Sequence, residues 1–431
     1  MAFSKHIRNI FVSEAAISGQ APSMDQGLLL IAFFATLFVP DLWLTSSMHI
    51  GWEEFLVPLM FFRLIWVRFY RLDFLVWTLG FLFLVISMSI VRNGQYADVR
   101  NLFELYKVLK MCVVYVFAFY VFRLPRFQYR FYEFLQASFI VLVLINLLHL
   151  FDVFSINHWL ITWYDYDGRD VATFGLNSIG EPDSRRIIGT MGNPNDNAIL
   201  FLFFLICFIV RQVTQVGQRR RFLIAGNEWN ILICSLLIFL CQSRTGIVAF
   251  GFLVLVGLRY AEWSWKKLLF SILILLSSVF LLDLMVQQHA MKYLSNTRLQ
   301  LDQNNSVSSR FEIWKRLFNM WKERPILGYG PNKEFIYQEK IYPESEYMYY
   351  LWRYGILGLL GYISLVIGVL IQGGRSRFVR PMPLMLVILL GITALTNNPL
   401  TNPKFLVIFA IGWGLAANPI LFEKTEIQSK A

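Results

Sequence analysis

Apolar positions in this chain fall into long blocks, and the charged and turn-forming residues sit between them. A run of roughly 20 apolar residues crosses a bilayer as a helix. Runs bounded by charges, Gly or Pro recur near 27–45, 54–68, 73–91, 103–123, 134–154, 194–211, 222–241, 244–261, 266–286, 347–371, 382–398 and 404–421. They predict an all-α polytopic membrane protein of about twelve transmembrane helices. The second run carries Arg63 and the seventh is interrupted by Asn227. Two gaps are too long for simple connectors, 155–193 and 287–346. The second contains SSRFEIWKRLFNMWKE, where Phe311, Trp314, Leu317, Phe318 and Trp321 recur at helical spacing. That pattern predicts an amphipathic helix lying over the membrane surface.

Composition supports this outline: 57% of residues are hydrophobic and only 16% charged, against about a quarter charged in soluble domains, which excludes a soluble multidomain enzyme. The net charge of +11 could point to nucleic acid, but the placement of the cations answers that. Arg68 and Arg71, Arg123 to Arg130, Arg211 to Arg221, Arg259 to Lys267 and Arg375 to Arg380 occupy alternate short connections. The positive-inside rule therefore puts both termini in the cytoplasm, and no nucleic-acid partner is needed. The layout that follows is a cytoplasmic segment 1–26, helices over 27–286 with an external loop near 155–193, a large external loop 287–346, helices over 347–421 and a cytoplasmic tail 422–431. The N-terminal segment lacks the apolar core of a signal peptide and reads as a surface amphipathic stretch. Cys112, Cys207, Cys234 and Cys241 all lie inside apolar runs without metal-type spacing, and the five histidines are scattered. No metal site, nucleotide motif or catalytic triad is legible.

What remains is a set of arginines, carboxylates and aromatic residues near the external face, which suits an anionic, phosphate-bearing lipid. Arg244, in SRTG, opens a helix after a short turn. Its guanidinium suits bidentate contact with phosphate, or it snorkels to the headgroups. Arg310 opens the amphipathic segment, as a phosphate ligand or as a solvated helix-end cation. Arg185 and Arg186 precede GTMGNPNDNA, where Asn193 and Asn195 are capping residues and Pro194 a first-turn residue. In YPESEYMYYLWRYGILG, Glu344 and Glu346 are ordinary first-turn acids, or one of them is a general base for a sugar hydroxyl. Tyr347, Tyr350 and Tyr354 form one stripe, an interface belt or a platform for sugar rings. Arg353, about 10 Å further along the helix, is expected to face the interior or a wet cavity. Lys107 and Lys110 share a helix face and are expected to line a polar cavity.

SRTG and GTMGNPNDNA each opening a helix, Arg310-x-x-x-Trp314 followed by Pro325 to Gly330, a large external loop and an aromatic helix with Gly355-x-x-Gly358 together resemble the O-antigen polymerase/ligase family of bacterial membrane glycosyltransferases, with a GT-C-like architecture. The resemblance implies metal-independent, inverting transfer of a glycan from undecaprenyl diphosphate on the periplasmic face of the inner membrane, without cofactor. It implies that Arg244 and Arg310 hold the diphosphate. The ligase branch carries a His, then Asn, Ser or Gln, nine residues and GxxG; here that register puts Glu344 at the His position and Ser345 after it. The missing His favours a polymerase that joins lipid-linked repeat units over a ligase that transfers glycan to lipid A core. The partners implied are undecaprenyl-diphosphate-linked oligosaccharides, membrane lipids and, by analogy, a chain-length regulator. A lipid-linked sugar flippase is the reading from another class, though no internal repeat of the transporter kind is seen.

Overall fold

A computed structural model describes residues 23–45, 48–164, 186–214, 226–260, 306–339, 343–372 and 381–418. In chain order these form α1 (Ser23–Phe38), a two-stranded antiparallel ribbon β1 (Leu42–Thr45) and β2 (Met48–Ile50), α2 (Glu53–Trp66), α3 (Phe74–Arg92), α4 (Val99–Phe122), α5 (Pro125–Phe151), α6 (Ile156–Tyr164), α7 (Pro194–Thr214), α8 (Gly226–Leu240), α9 (Arg244–Tyr260), α10 (Ser306–Glu323), α11 (Lys333–Glu339), α12 (Glu346–Gln372), α13 (Pro381–Thr393) and α14 (Pro403–Ala416). Among the described residues, five helices are long and apolar enough to cross a membrane: Phe74–Arg92, Val99–Phe122, Arg126–Phe151, Pro194–Val213 and Glu346–Gln372. The protein is a multi-pass membrane protein. Shorter apolar helices account for four more of the expected runs; the expected run at 266–286, residues 1–22 and Arg185 lie outside the described residues.

Several boundaries differ from the hydropathy reading, each for a local reason. The first helix stops at Phe38, ahead of Pro40, and 42–45 becomes β1. Helix α4 starts at Val99 because Asp98 caps it, its carboxylate accepting from Arg100 N at 2.9 Å. Asp73 caps α3 in the same way through Val76 N at 3.0 Å. Helix α5 begins nine residues before the expected 134, since Pro125 suits a first turn and Arg126 and Arg130 are tolerated there. Helix α13 ends at Thr393, and Asn402 with Pro403 starts α14. Hydropathy sees the apolar middle of a helix and misses polar first turns.

The chain divides into two compact units. The first gathers the described parts of Met1–Phe134, Arg310–Val387 and Ala394–Ala431; the second gathers those of Leu135–Ser309 and Ile388–Thr393. In the first, α14 packs along α4 so closely that a Cβ on Gly414 would lie 2.7 Å from Ala118 Cβ, as small residues permit between membrane helices. Arg63 is neutralised inside this unit by the buried Asp25, at 2.7 Å. In the second, α7 is buried along nearly its whole length and packs against α8 and α9.

The feature that organises the first unit is a break in α12. Gly355 has φ 65° and ψ −162°, which an L side chain rarely adopts. The groups that a straight helix would pair internally are paired by the preceding loop instead. Tyr329 N donates to Trp352 O (3.1 Å) and Gly330 N to Arg353 O (2.7 Å), while Ile356 N and Leu357 N donate to Pro325 O (2.8 Å) and Ile326 O (3.4 Å). Ser89 Oγ of α3 reaches Leu327 O at 2.5 Å and Gln95 Nε2 donates to Tyr329 O at 2.8 Å. Helix α10 closes over this joint: Leu317 is buried with Ile336 and Trp352, whereas Phe311 and Phe318 remain exposed. Its apolar stripe is thus divided between the protein and the outside.

A Cβ on Gly355 would collide with the backbone of Ile326. Gly355→Ala is expected to cost about 2 kcal/mol or more, read as a lower thermal midpoint in detergent. Gly80→Ala, whose Cβ meets nothing within 4 Å, should leave the midpoint unchanged or slightly raised. Equal midpoints for the two variants would show that the break carries no strain-sensitive packing.

Candidate functional site

The start of α12 is held by the turn before α14. Glu346 N donates to Ala394 O at 2.9 Å, Ser345 Oγ to the same carbonyl at 3.3 Å, and Asn398 Nδ2 to Pro343 O at 2.5 Å. On this pinned segment two acids face opposite environments. Glu344 is 42% exposed and forms an ion pair with Arg310 of α10, itself 29% exposed. Arg310 Nε and Trp314 Nε1, one turn apart, are buried with no hydrogen-bond partner among the described residues. Glu346 is fully buried; Tyr362 O–H donates to its Oε2 at 3.1 Å, and its Oε1 has no partner among the described residues. Tyr350 stacks on Tyr362 with centroids 4.8 Å apart, and Tyr347 meets the same ring edge-on at 5.4 Å. Tyr350 and Tyr354 are buried, and Tyr347 is half-buried. A surface carboxylate on an arginine can exchange partners with an incoming anion; an enclosed one cannot reach it.

Behind this segment lies a cluster of charges centred on Glu104 of α4. Lys333 lies 3.0 Å from its carboxylate, Lys107 3.2 Å and Arg353 3.8 Å. Lys107 also donates to Thr401 O at 3.0 Å. Arg353, 1% exposed, donates to Tyr349 Oη and stacks over that ring at 4.0 Å. Lys110, one turn along α4, is buried between Glu53 at 3.2 Å and Glu54 at 2.5 Å. The two lysines of one helix face therefore separate: Lys107 borders a small cavity, and Lys110 is closed within its own ion pairs. The expectation that both line a polar cavity fails for Lys110, because α2 brings two carboxylates onto it. Glu104 and Lys333 escaped sequence reading. The available signal was Glu104, Lys107 and Lys110 at three-residue spacing inside an apolar run, since ionisable groups within membrane helices are functional candidates.

In the second unit the segment before α7 is threaded through buried polar groups. Ile188 N donates to His149 Nε2 at 3.1 Å, so the ring proton sits on Nδ1 and meets Asn157 Oδ1 at 2.5 Å. Asn197 Nδ2 donates to Asn146 Oδ1 (2.9 Å) and Ile187 O (3.3 Å). Above them Arg186 donates to Cys241 O (3.1 Å), Gln242 O (3.4 Å) and Asn195 Oδ1 (3.4 Å), and Asn193 Oδ1 caps Asn195 N at 2.8 Å. Arg244 is exposed at the first position of α9, where Ser243 Oγ accepts from Gly246 N at 3.2 Å. Burial, together with the like charge of Arg244, presses Arg186 below the usual arginine range. Among the described residues, no group of three or more His, Cys, Asp or Glu side chains could hold a metal ion.

Asn197→Ala removes the donor that ties Ile187 to α5 through Asn146, at an expected cost of about 1–3 kcal/mol. With Cys241 as the sole cysteine, fully buried in the native chain, the substitution should speed its maleimide labelling in membranes. Unchanged labelling and an unchanged thermal midpoint would mean that the network does not hold this segment.

No curated protein matches the chain. Residues 229–363 match the O-antigen ligase family, a stretch that contains Arg244, Arg310, Glu344, Glu346 and Arg353. Over that stretch, less than half of the chain, this multi-pass membrane protein is similar to the O-antigen ligase family domain, which covers O-antigen polymerases and ligases.

Proposed function

We propose that the protein is an O-antigen polymerase of the bacterial inner membrane, with both termini cytoplasmic and its active site on the periplasmic face. The observation that carries this reading is the ion pair between Glu344 and Arg310. The residue in the register of the ligase histidine is a carboxylate, and it faces the arginine to which the family resemblance assigns the diphosphate. The hydroxyl oxygen of an incoming lipid-linked repeat attacks the anomeric carbon of the growing glycan. The bond from that carbon to the diphosphate oxygen breaks, and its electron pair leaves with undecaprenyl diphosphate. Arg310 stabilises the charge gathering on the leaving group, by about 3 kcal/mol for a well-placed donor; the family resemblance gives Arg244 the same role. Glu344 takes the hydroxyl proton.

The ion pair also supplies an order of events. While no substrate is bound, Arg310 occupies Glu344; when the donor diphosphate takes the guanidinium, the carboxylate is released toward the acceptor. Base and leaving group are thereby readied together. Attack from the face opposite the diphosphate inverts the anomeric centre, and no metal enters the scheme.

With purified protein, a chelator and a synthetic undecaprenyl-diphosphate-linked repeat, wild type should give a ladder growing by whole repeats. Arg310→Ala and Arg244→Ala should each lower the rate about 100-fold or more, and Glu344→Gln about 100-fold or more, with folded protein still in the membrane. Wild-type ladders from any of these variants would overturn the assignment of that residue. Transfer seen only with lipid A core as acceptor would make the protein a ligase.

A further inference from the structure

The polymerase reading requires two lipid diphosphates at once, one that leaves and one that stays attached to the acceptor. The first unit contains a second cationic centre that the chemistry above does not use. Three cations, Lys107, Lys333 and Arg353, converge within 3.8 Å of the single carboxylate of Glu104. Glu346, whose carboxylate also interacts with Lys107, still leaves the group one positive charge in excess. Unbalanced charge is costly away from water. Arg353 Nε is buried and has no hydrogen-bond partner among the described residues.

The centre is graded from the outside inward. The side chains of Lys333 and Lys107 are 22% and 16% exposed, those of Glu104 and Arg353 only 7% and 2%. Glu104 and Lys107 also border a small cavity of about 20 Å³, the size of one water, whose other walls include the buried Leu79, Leu82, Ile86 and Leu365.

We propose that Lys107, Lys333 and Arg353 bind the diphosphate of the acceptor, a polyprenyl-linked sugar that keeps its lipid through the reaction. The proposal rests on the polymerase reading. Glu104 serves as an internal counterion that holds the three cations together and shares them with the ligand. Lys333 is the outermost of the three and the first that an arriving headgroup meets.

The test measures how many undecaprenyl diphosphate molecules, without sugar, bind the full-length protein in phosphatidylcholine nanodiscs, by native mass spectrometry. Wild type should bind two. Lys333→Met should bind one, and adding Arg310→Ala should remove that one; Lys333→Arg should retain both. Lys333 is partly exposed, so its replacement should not unfold the protein, and an unchanged thermal midpoint checks this. A wild type that binds one, lost in Arg310→Ala and unaffected by Lys333→Met, overturns this site and leaves the polymerase reading standing. A wild type that binds none overturns both. Equal displacement of the Lys333-dependent molecule by inorganic diphosphate would make the site one for free anions, and displacement by phosphatidylglycerol nanodiscs would make it a general headgroup site; either overturns the acceptor assignment.

Discussion

In hydrocarbon every backbone N–H and C=O must find a partner inside the protein, and the break at Gly355 is where this chain meets that constraint most sharply. A straight α12 would satisfy Trp352 O and Arg353 O with its own next turn. With Gly355 at φ 65°, those carbonyls and the N–H groups of Ile356 and Leu357 turn instead to Pro325, Ile326, Tyr329 and Gly330. Two internal bonds become four bonds to another segment, so the loop and the helix define each other. Arg353 sits two residues before the break, and its stack on Tyr349 and approach to Glu104 depend on the direction in which the first part of α12 runs. The same portion begins with Glu344 and Glu346, so the geometry of the acids and of the buried arginine rests on one glycine.

The environments of Glu344 and Glu346 show how two residues apart on a chain can differ in chemistry. One is anchored at the surface by an arginine it can release; the other is enclosed by tyrosines and backbone. The segment between Pro343 and Glu346 is pinned by Ala394 and Asn398, which fixes where the exposed Glu344 carboxylate meets Arg310.

Much of the fold was legible because apolar runs of membrane length have few other uses; 73–91 and 347–371 return almost residue for residue as α3 and α12. Capped and charged first turns were not, as α4 and α5 show, since Asp98 and Arg126 look like loop residues until the cap or the helix is seen. The SRTG, PILGYG and GxxG motifs were visible as strings, but their joint purpose was not. Nothing in Gly355 announces that its partner is Ile326, about 30 residues upstream. Long-range charge pairing was equally hidden. The spacing of Glu104 to Lys107 and Lys110 is visible in the sequence, but only the approach of Lys333 and Arg353 from other elements makes Glu104 a centre.

The interlocked joint between Pro325–Gly330 and α12 also bears on how the chain reaches its membrane. Ribosomal synthesis delivers α3, with Ser89, well before the loop, and the loop before α12. When the first turns of α12 emerge, the groups that must cover Trp352 O and Arg353 O are already made and already able to rest on Ser89 and Gln95. The helix can therefore partition into lipid with its interruption capped on arrival. The reverse gene order would leave an open wound in the bilayer until the rest of the chain appeared. Biogenesis, as much as catalysis, is served by placing the glycine-rich loop upstream of the helix it completes.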